Sequence, residues 1–481
     1  MRLKELLQGV PVSQTTGDLD TQISELAYDS RKVQGGSLFF CIRGFKSDGH
    51  AFAADAVKKG AAALMVSEQL PDLDVPQIVV LDDRLCMALI SANFFGRPAD
   101  KMKLIGVTGT KGKTSTTYMI KSIAESYGKK MGLIGTIVDM IGDKKIYTEK
   151  TTPESLDLQR LLAQMAGEGV DWVTMEVSSH SLELKRVAGI RYDVAVFTNL
   201  THDHLDFHGN MENYRAAKRK LFDACDTALI NRDDPAHEHM EAGVSCPILH
   251  YGIGEGGGIS AWNVSNTPEG VSYSLRLPDE DIPISVKIPG IFMVYNSLAA
   301  CAAMHAMGVP PKYLQAGLDG IRSVPGRFEV VDNGGRDFTL ILDYAHTPDS
   351  LEQTLKTARG FARGRLVTLF GCGGDRDRAK RPIMGAIAGK LSDFTIITSD
   401  NPRTEDPISI IQMIEEGMKQ SGGQYICIEN RREAMRYALE NAQPDDLIIL
   451  AGKGHETYQE INGVRYPFDE KEVVGDLLKT N

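Results

Sequence analysis

Leu104-Ile-Gly-Val-Thr-Gly-Thr-Lys-Gly-Lys-Thr-Ser115 opens as an apolar β-branched run, turns on glycines and ends in the first turn of a helix. The helix reads from its spacing: Met119, Ile120, Ile123, Ala124 and Tyr127 share one face, and Gly128 follows as a stop. A strand, a loop with inward-turned N–H groups and a helix N-terminus make a cradle for anions. In such a cradle Lys113 reaches the outer phosphates of a nucleoside triphosphate and the Thr114 hydroxyl a Mg²⁺ ion. The loop is a shorter variant of the general pattern, which wants glycine five residues before Gly112, where this chain has Val107.

Around that loop lie 481 residues, enough for two to four domains. A hydrophobic share of 42% with 24% charged residues describes an ordinary globular chain, and a net charge of -11 disfavours a nucleic-acid backbone as partner. The first residues show no signal-peptide core, and no run approaches membrane-spanning length. Seven scattered cysteines without a C-x-x-C pair suit free thiols in a reducing compartment. The expected address is cytoplasmic.

Three sections emerge. In the first, strand-like runs (Ser37 to Ile42, Ala61 to Val66, Gln77 to Leu81) alternate with helical ones such as Phe52 to Lys59, until Gly96-Arg-Pro-Ala-Asp100 reads as a linker. The second carries the glycine loop and is interrupted by Gly252-Ile-Gly-Glu-Gly-Gly-Gly258, and Ser323-Val-Pro-Gly326 reads as a second joint. The expectation is an α/β protein of three domains, 1–98, 99–322 and 323–481, with mainly parallel sheets. The central one is P-loop ATPase-like and the last Rossmann-like.

Beyond the loop, six apolar runs each end in charged or glycine-rich residues. They lead into Ser178-Ser-His180, Asn199, Asp343-Tyr-Ala-His346, Gly371-Cys-Gly-Gly-Asp-Arg376, Asp400-Asn-Pro-Arg403 and Gly452-Lys-Gly-His-Glu456. Ligands of open α/β sheets sit at the carboxyl ends of the strands, so six such endings form a site pattern. Thr201-His-Asp-His-Leu-Asp-Phe-His-Gly209 is rich enough in imidazole and carboxylate to suggest zinc. A phosphate-bound Mg²⁺ wants oxygen ligands and at most one imidazole, and the phosphate loop favours that reading, with His204 nearest the strand end.

Gly109-Thr-Lys-Gly-Lys-Thr-Ser115, Glu176-Val-Ser-Ser-His180, Asn199-Leu-Thr-His-Asp-His-Leu-Asp206, Tyr214-Arg-Ala-Ala-Lys-Arg-Lys-Leu-Phe222, Tyr295-Asn296, Gly326-Arg-Phe-Glu329 and Asp343-Tyr-Ala-His-Thr-Pro348 together resemble the Mur ligase family. These are ATP-dependent amide-forming enzymes of peptidoglycan precursor synthesis, and the likeness runs through nearly the whole chain in order. It implies a UDP-binding first domain, a central ATPase domain and a last domain that receives the amino acid. It also implies an ATP site of Gly109, Thr110, Lys111, Gly112, Lys113, Thr114 and Ser115, with Asn296, Arg327 and Asp343 also touching the nucleotide. Thr114 and Glu176 would hold a Mg²⁺ beside the ATP phosphates, His204 would help hold a second, a carbamylated Lys218 would be a further Mg²⁺ ligand, and Lys113, Lys218 and His204 would be the catalytic residues. Spacing alone makes Lys218 a solvated helix lysine.

The same resemblance assigns Ser30, Phe45, Lys46, Ser47, Thr151, Thr152, Ser178 and Arg186 to a UDP-muramoyl dipeptide. Leu184 stands where some relatives carry glutamine. It assigns Arg376, Asp400, Asn401, Pro402, Arg403, Gly452 and Glu456 to the incoming amino acid. Meso-diaminopimelate differs from L-lysine by a second carboxylate at the far end of the side chain, and the planar fork of an arginine suits it. Arg403 is that arginine, Arg376 is expected at the other carboxylate, and Glu456 at the distal ammonium. The expected enzyme is a monomer with no nucleic-acid or membrane partner. The alternatives are lysine as the amino acid, a folylpolyglutamate synthase-like ligase and a non-enzymatic nucleotide switch.

Overall fold

A computed structural model describes residues 1–45, 47–148, 150–267 and 269–479, so Lys46 lies outside the described residues. The chain divides into two compact units, Met1–Gly252 with Ala299–Tyr313, and Ile253–Leu298 with Leu314–Asn481. These units cut the chain elsewhere than the sequence sections 1–98, 99–322 and 323–481.

In the first unit, one sheet runs Gln14–Thr16, Gln77–Val79, Ala61–Val66, Ser37–Phe40, Glu25–Ala27, parallel except for its first edge strand. Ala61–Val66 has the expected bounds, while Ser37–Phe40 and Gln77–Val79 are two residues shorter than the runs Ser37 to Ile42 and Gln77 to Leu81. Phe52 belongs to a 3₁₀ turn, Gly49–Phe52, ahead of the helix Ala53–Lys58. A second sheet places Lys103–Thr108 between Trp172–Glu176 and Tyr192–Phe197, all parallel. Met131–Ile134 and Cys225–Asn231 extend it on either side. Leu104, Val173, Met175, Phe197 and Ile230 join Leu158 and Leu162 of the helix Ser155–Gly167 in one core.

The second unit holds the antiparallel strands Ile259–Thr267, Gly270–Arg276 and Asp281–Val286. No sequence signal had singled them out, because their alternation of polar and apolar residues sits beside a glycine-rich run. Its main sheet runs Glu329–Val331, Thr339–Asp343, Leu447–Ala451, Leu366–Phe370, Phe394–Ile397, Tyr425–Cys427. Side chains of a strand alternate between faces, and both faces here are apolar. Ile341, Phe370, Ile397 and Ile449 pack with Met384 and Ile414, while Leu340, Leu342, Leu369 and Leu450 pack with Met435 and Leu477. Burial on both sides leaves only the strand ends for polar chemistry. No helix among the described residues is long and apolar enough to cross a membrane.

Candidate active site

The expected helix after the glycine loop is Lys113–Ser126, with Met119, Ile120, Ile123 and Ala124 buried and Tyr127 as its C-cap. The loop is gripped from the neighbouring strand end. Thr110 N donates to Asn199 O (2.8 Å), Lys111 N to Asn199 Oδ1 (2.8 Å), and Thr198 Oγ1 to Lys111 O (2.7 Å). Gly109 has φ +151°, and a Cβ there would stand 1.8 Å from Thr198 Oγ1. Only glycine lets the loop close this tightly. Lys113 Nζ lies across the loop, donating to Gly109 O (2.9 Å) and Thr110 O (3.0 Å).

Strand register brings the next residues in. Glu176 pairs with Val107 and Phe197 with Thr108, so the Glu176 carboxylate and Asn199 flank the start of the loop. Glu176 is buried, and Thr136 aims it: Thr136 N donates to Oε1 (2.8 Å) and Thr136 Oγ1 to Oε2 (3.0 Å). Thr136 was missed from the sequence because it lies forty residues upstream in an undistinguished turn. Thr151 Oγ1 lies 3.0 Å from Thr136 Oγ1, and Thr152 Oγ1 donates to Glu176 O (2.8 Å). Ser178 Oγ lies 3.4 Å from Thr152 Oγ1, and Arg186 Nη1 donates to Thr152 O (3.1 Å). These four expected peptide-contact residues therefore converge on the Glu176 strand end. Arg186 also pairs with Glu154 (2.8 Å), which Lys150 (2.8 Å) and Arg84 (4.0 Å) approach as well. That extra cationic grouping was not foreseen.

Lys218 is not the solvated lysine of the spacing argument. It is 1% exposed, with Nζ donating to Gly109 O (2.8 Å) and lying 4.5 Å from the centre of the Tyr214 ring. The helix Met211–Arg219 turns this residue inward onto the glycine loop. Burial, together with the nearby Lys113 charge, holds its ammonium far below the ordinary lysine range. His204 sits at φ +54° with a half-exposed ring packed edge-on to His180 (4.9 Å). His208 is buried, with Nε2 2.9 Å from Ser179 Oγ. Among the described residues no group of three or more His, Cys, Asp or Glu is arranged to hold a metal ion.

Of the expected UDP residues, Ser30 begins a short 3₁₀ turn and its carbonyl accepts from Lys59 Nζ (3.1 Å). Phe45 is 78% exposed with its ring 5.9 Å from Phe207, and Ser47 O accepts from Gly44 N. The fold does not draw Ser30, Phe45 and Ser47 into one hydrogen-bonded cluster.

Asn296, Arg327 and Asp343 belong to the second unit. Asp343 Oδ2 accepts from Phe328 N (2.8 Å) and Oδ1 from Thr354 Oγ1 (2.9 Å), and Arg327 lies over the Tyr344 ring (4.8 Å). Burial raises the Asp343 carboxyl despite those bonds. Asn296 is buried on the helix Ile291–Ala306.

In the same unit, Arg403 has φ +52°, donates through Nη1 to Gly374 O (2.7 Å) and lies 3.5 Å from Glu460. Its backbone is bridged to the hairpin of Tyr458–Ile461 and Val464–Pro467. Arg376 is exposed, and its Cγ and the Arg403 guanidinium both border Gly373. Asp400, Asn401 and Pro402 are buried, and Gly452 approaches the Asp400 carboxylate. Asn401 Nδ2 donates to Glu456 Oε2 (2.8 Å). Burial pushes Asp400 up, yet Lys453 and Arg431 outweigh it and hold the carboxyl below its usual range.

Two fully buried arginines, neither foreseen, brace these loops. Arg431 pairs with buried Glu470 (2.8 Å) and donates to Ala451 O (2.9 Å), fixing the strand end before Gly452. Arg381 grips Glu405 with both Nη atoms (3.0 and 2.8 Å) and donates to Gly373 O (3.2 Å). Hydrogen bonds from Arg381 hold the Glu405 carboxyl down at about 2. Glu405→Gln leaves a buried guanidinium unpaired and is expected to cost about 3 kcal/mol in urea unfolding at pH 7. A folded-state value below the unfolded one means the stabilisation is full above about pH 4.5 and fades as pH falls toward about 2, so the mutational gap should close across that window.

Three family models match in order: "Mur ligase family, catalytic domain" over residues 22–93, "Mur ligase middle domain" over 107–304, and "Mur ligase, glutamate ligase domain" over 326–454. A curated protein of Caldanaerobacter subterraneus subsp. tengcongensis, named UDP-N-acetylmuramoyl-L-alanyl-D-glutamate–2,6-diaminopimelate ligase, is 48% identical over 480 residues, covering 99% of each chain. A solved structure of a ligase of that same name superposes with TM-score 0.72 at 32% identity, over 100% of this chain and 99% of that one. Folylpolyglutamate synthase of Mycobacterium tuberculosis, complexed with ADP and AMPPCP, shares the fold at TM-score 0.64, with 18% identity over 77% of this chain. With phosphate loop, buried lysine and strand-end loops falling inside three consecutive family matches, the chain belongs to the Mur ligase family.

Proposed function

We propose that this chain joins meso-diaminopimelate to UDP-N-acetylmuramoyl-L-alanyl-D-glutamate at the expense of ATP, through an acyl phosphate, in cytoplasmic peptidoglycan precursor synthesis, and that it acts as a monomer. Residues 1–98 would bind the UDP moiety, 99–322 ATP, and 323–481 the amino acid. The observation that carries the reading is Arg403, held through Nη1 at Gly374 O and bordering Gly373 together with Arg376. Its guanidinium would take the distal carboxylate, Arg376 the other carboxylate, and Glu456 the distal ammonium of an amino acid that carries all three. The names of the relatives at 48% and 32% identity support it.

A carboxylate does not react with an amine at neutral pH, because its carbon is electron-rich and its leaving group poor. Transfer of the γ-phosphoryl group to the D-glutamyl side-chain carboxylate gives an acyl phosphate. The amine attacks its carbonyl carbon, the C–O bond to phosphate breaks, and the amine proton is lost. The loop N–H groups from Gly112 to Ser115 and the Lys113 ammonium would hold the phosphates in line and take up developing charge. Thr151, Thr152, Ser178 and Arg186 would orient the muramoyl dipeptide beside that loop.

Thr114 hydroxyl and Glu176 carboxylate are hard oxygen donors, and Thr136 already fixes the carboxylate, so the donor set fits Mg²⁺. Thr114 and Glu176 would hold one ion beside the triphosphate, whose charge it neutralises when bound; His204 would help hold a second, and carbamylated Lys218 would be a further Mg²⁺ ligand. An ammonium at Lys218 would repel it. The neutral buried amine favoured at this position can add CO₂, forming an N–C bond and releasing one proton, to give an anion with two oxygens. A purified chain in bicarbonate should therefore be heavier by one CO₂ in intact mass under non-acidic conditions. An unmodified Lys218 there would argue against this role.

Lysine in place of diaminopimelate brings Arg403 no substrate carboxylate, leaving it only Glu460. The likeness to folylpolyglutamate synthase at 18% identity concerns the fold alone. The deciding experiment is phosphate release: it should require both the UDP-dipeptide and meso-diaminopimelate, and heavy oxygen placed in the glutamyl carboxylate should appear in the phosphate. Release driven by a folate, or without any acceptor, overturns the proposal.

A further inference from the structure

Lys453 is fully buried between Gly452 and Gly454, at the end of the strand Leu447–Ala451. Its Nζ lies 3.1 Å from Asn401 Oδ1, 3.4 Å from Glu456 Oε2 and 3.5 Å from Asp400 Oδ1. Asn401 Oδ1 also accepts from Glu460 N (2.9 Å), and its Nδ2 donates to Glu456 Oε2 (2.8 Å). Two donors on Oδ1 fix which way the Asn401 amide faces, and so fix the aim of Nδ2. Glu456 Oε2 is thus clamped from two sides. Glu456 Oε1 makes no hydrogen bond among the described residues.

We infer that Lys453 is a positioning residue for the amino-acid substrate: it locks Asn401 and Glu456 Oε2 together so that Glu456 Oε1 is presented to a substrate ammonium. The charge count agrees. Asp400 and Glu456 share the Lys453 cation, while Arg431, which also faces Asp400, is already paired with Glu470, leaving one negative charge for an incoming ammonium. Without Lys453 two carboxylates would face each other across a buried loop, and one would take a proton instead of the substrate. The inference rests on the ligase reading above and deepens its acceptor site.

The groups facing Glu456 are Asp400 and Asn401 from one strand end, Tyr344 from another, Tyr458 of the hairpin, and Lys453 from its own loop. Burial and Asp400 raise the Glu456 carboxyl, while Lys453 and Asn401 pull it down. Loss of Lys453 therefore moves its ionisation to higher pH. A carboxyl must be ionised to hold an ammonium, so the KM for the amino acid should fall with rising pH, with the inflection displaced upward in the variant.

The test is steady-state kinetics of the full chain with meso-diaminopimelate, run first on the unaltered enzyme. If that enzyme does not turn over diaminopimelate, the functional reading fails, and the present inference with it. If it does, K453M is expected to raise the KM for diaminopimelate about tenfold or more, with the KM for ATP within about twofold. K453Q should shift the pH inflection as K453M does, whereas K453R, which keeps the charge, should leave it near its original place. In an E456Q background K453M should add little further, since both changes act on one contact. Should K453M fail to fold, the glutamine and arginine variants decide. A KM for ATP rising in parallel, an inflection that stays put in K453Q, or one that K453R moves as far, would overturn the inference.

Discussion

Lys113→Met is expected to lower kcat by about a thousandfold or more while leaving the protein folded and still able to bind ADP. The side chain touches no core: its ammonium lies over the loop, bonded to the Gly109 and Thr110 carbonyls. Methionine matches its length, so the loop, held independently by Thr198 and Asn199, should keep its shape. What is lost is a positive charge at the mouth of the loop, where negative charge would spread during phosphoryl transfer. The N–H cradle and helix terminus remain, so nucleotide affinity should fall much less than turnover. A second readout separates this from damage to the fold. Lys113 is a cause of the depressed Lys218 ammonium. Its removal should let that ammonium rise and reduce the fraction of CO₂-adducted protein at a given bicarbonate concentration. Calorimetric binding of ADP, single-turnover phosphate release and intact mass together decide. Near-normal turnover in Lys113→Met would remove the phosphate loop from the chemistry.

The strand, glycine loop and helix around Lys113 were legible because their information is local: strand, glycines, lysine and hydroxyl fall within twelve residues. The six polar strand ends were legible for a related reason, since apolar runs stopping at charged residues record where a two-sided core ends. Lys218 was misread from spacing, and the cause is instructive. A helix period locates a face but not what covers it, and here the cover is the Gly109 carbonyl more than a hundred residues upstream. The same gap hid Thr136, whose partner Glu176 lies forty residues on, and Arg381, whose carboxylate partner belongs to another loop. Lys453 stood in a quoted motif, yet only the register of two strand ends shows that it faces Asp400 and Asn401. The antiparallel strands of the second unit escaped because short amphipathic strands give weak signals beside a glycine-rich run.

Arg403→Ala is expected to raise the KM for meso-diaminopimelate by about a hundred- to a thousandfold, the loss of about 3–4 kcal/mol from two charge-assisted bonds to one carboxylate. The substitution is clean for a backbone reason. Arg403 already sits at φ +52°, a conformation as costly for arginine as for alanine, and main-chain bonds to Glu460 and Asn462 hold it there. The loop should therefore stay in place when the side chain is cut back. Glu460, at 3.5 Å, would lose its cationic neighbour and turn the pocket more negative, which penalises a dicarboxylic substrate further and L-lysine much less. The ratio of kcat/KM for diaminopimelate over lysine should thus collapse mainly through the diaminopimelate arm, with the KM values for ATP and the UDP-dipeptide nearly unchanged. Arg403→Lys should fall between, because an ammonium keeps the charge but cannot offer two parallel donors. Competition assays with both amino acids read this directly. An alanine variant that still prefers diaminopimelate as strongly as before would mean that the distal carboxylate is recognised elsewhere, and would hand the selecting role to Arg376.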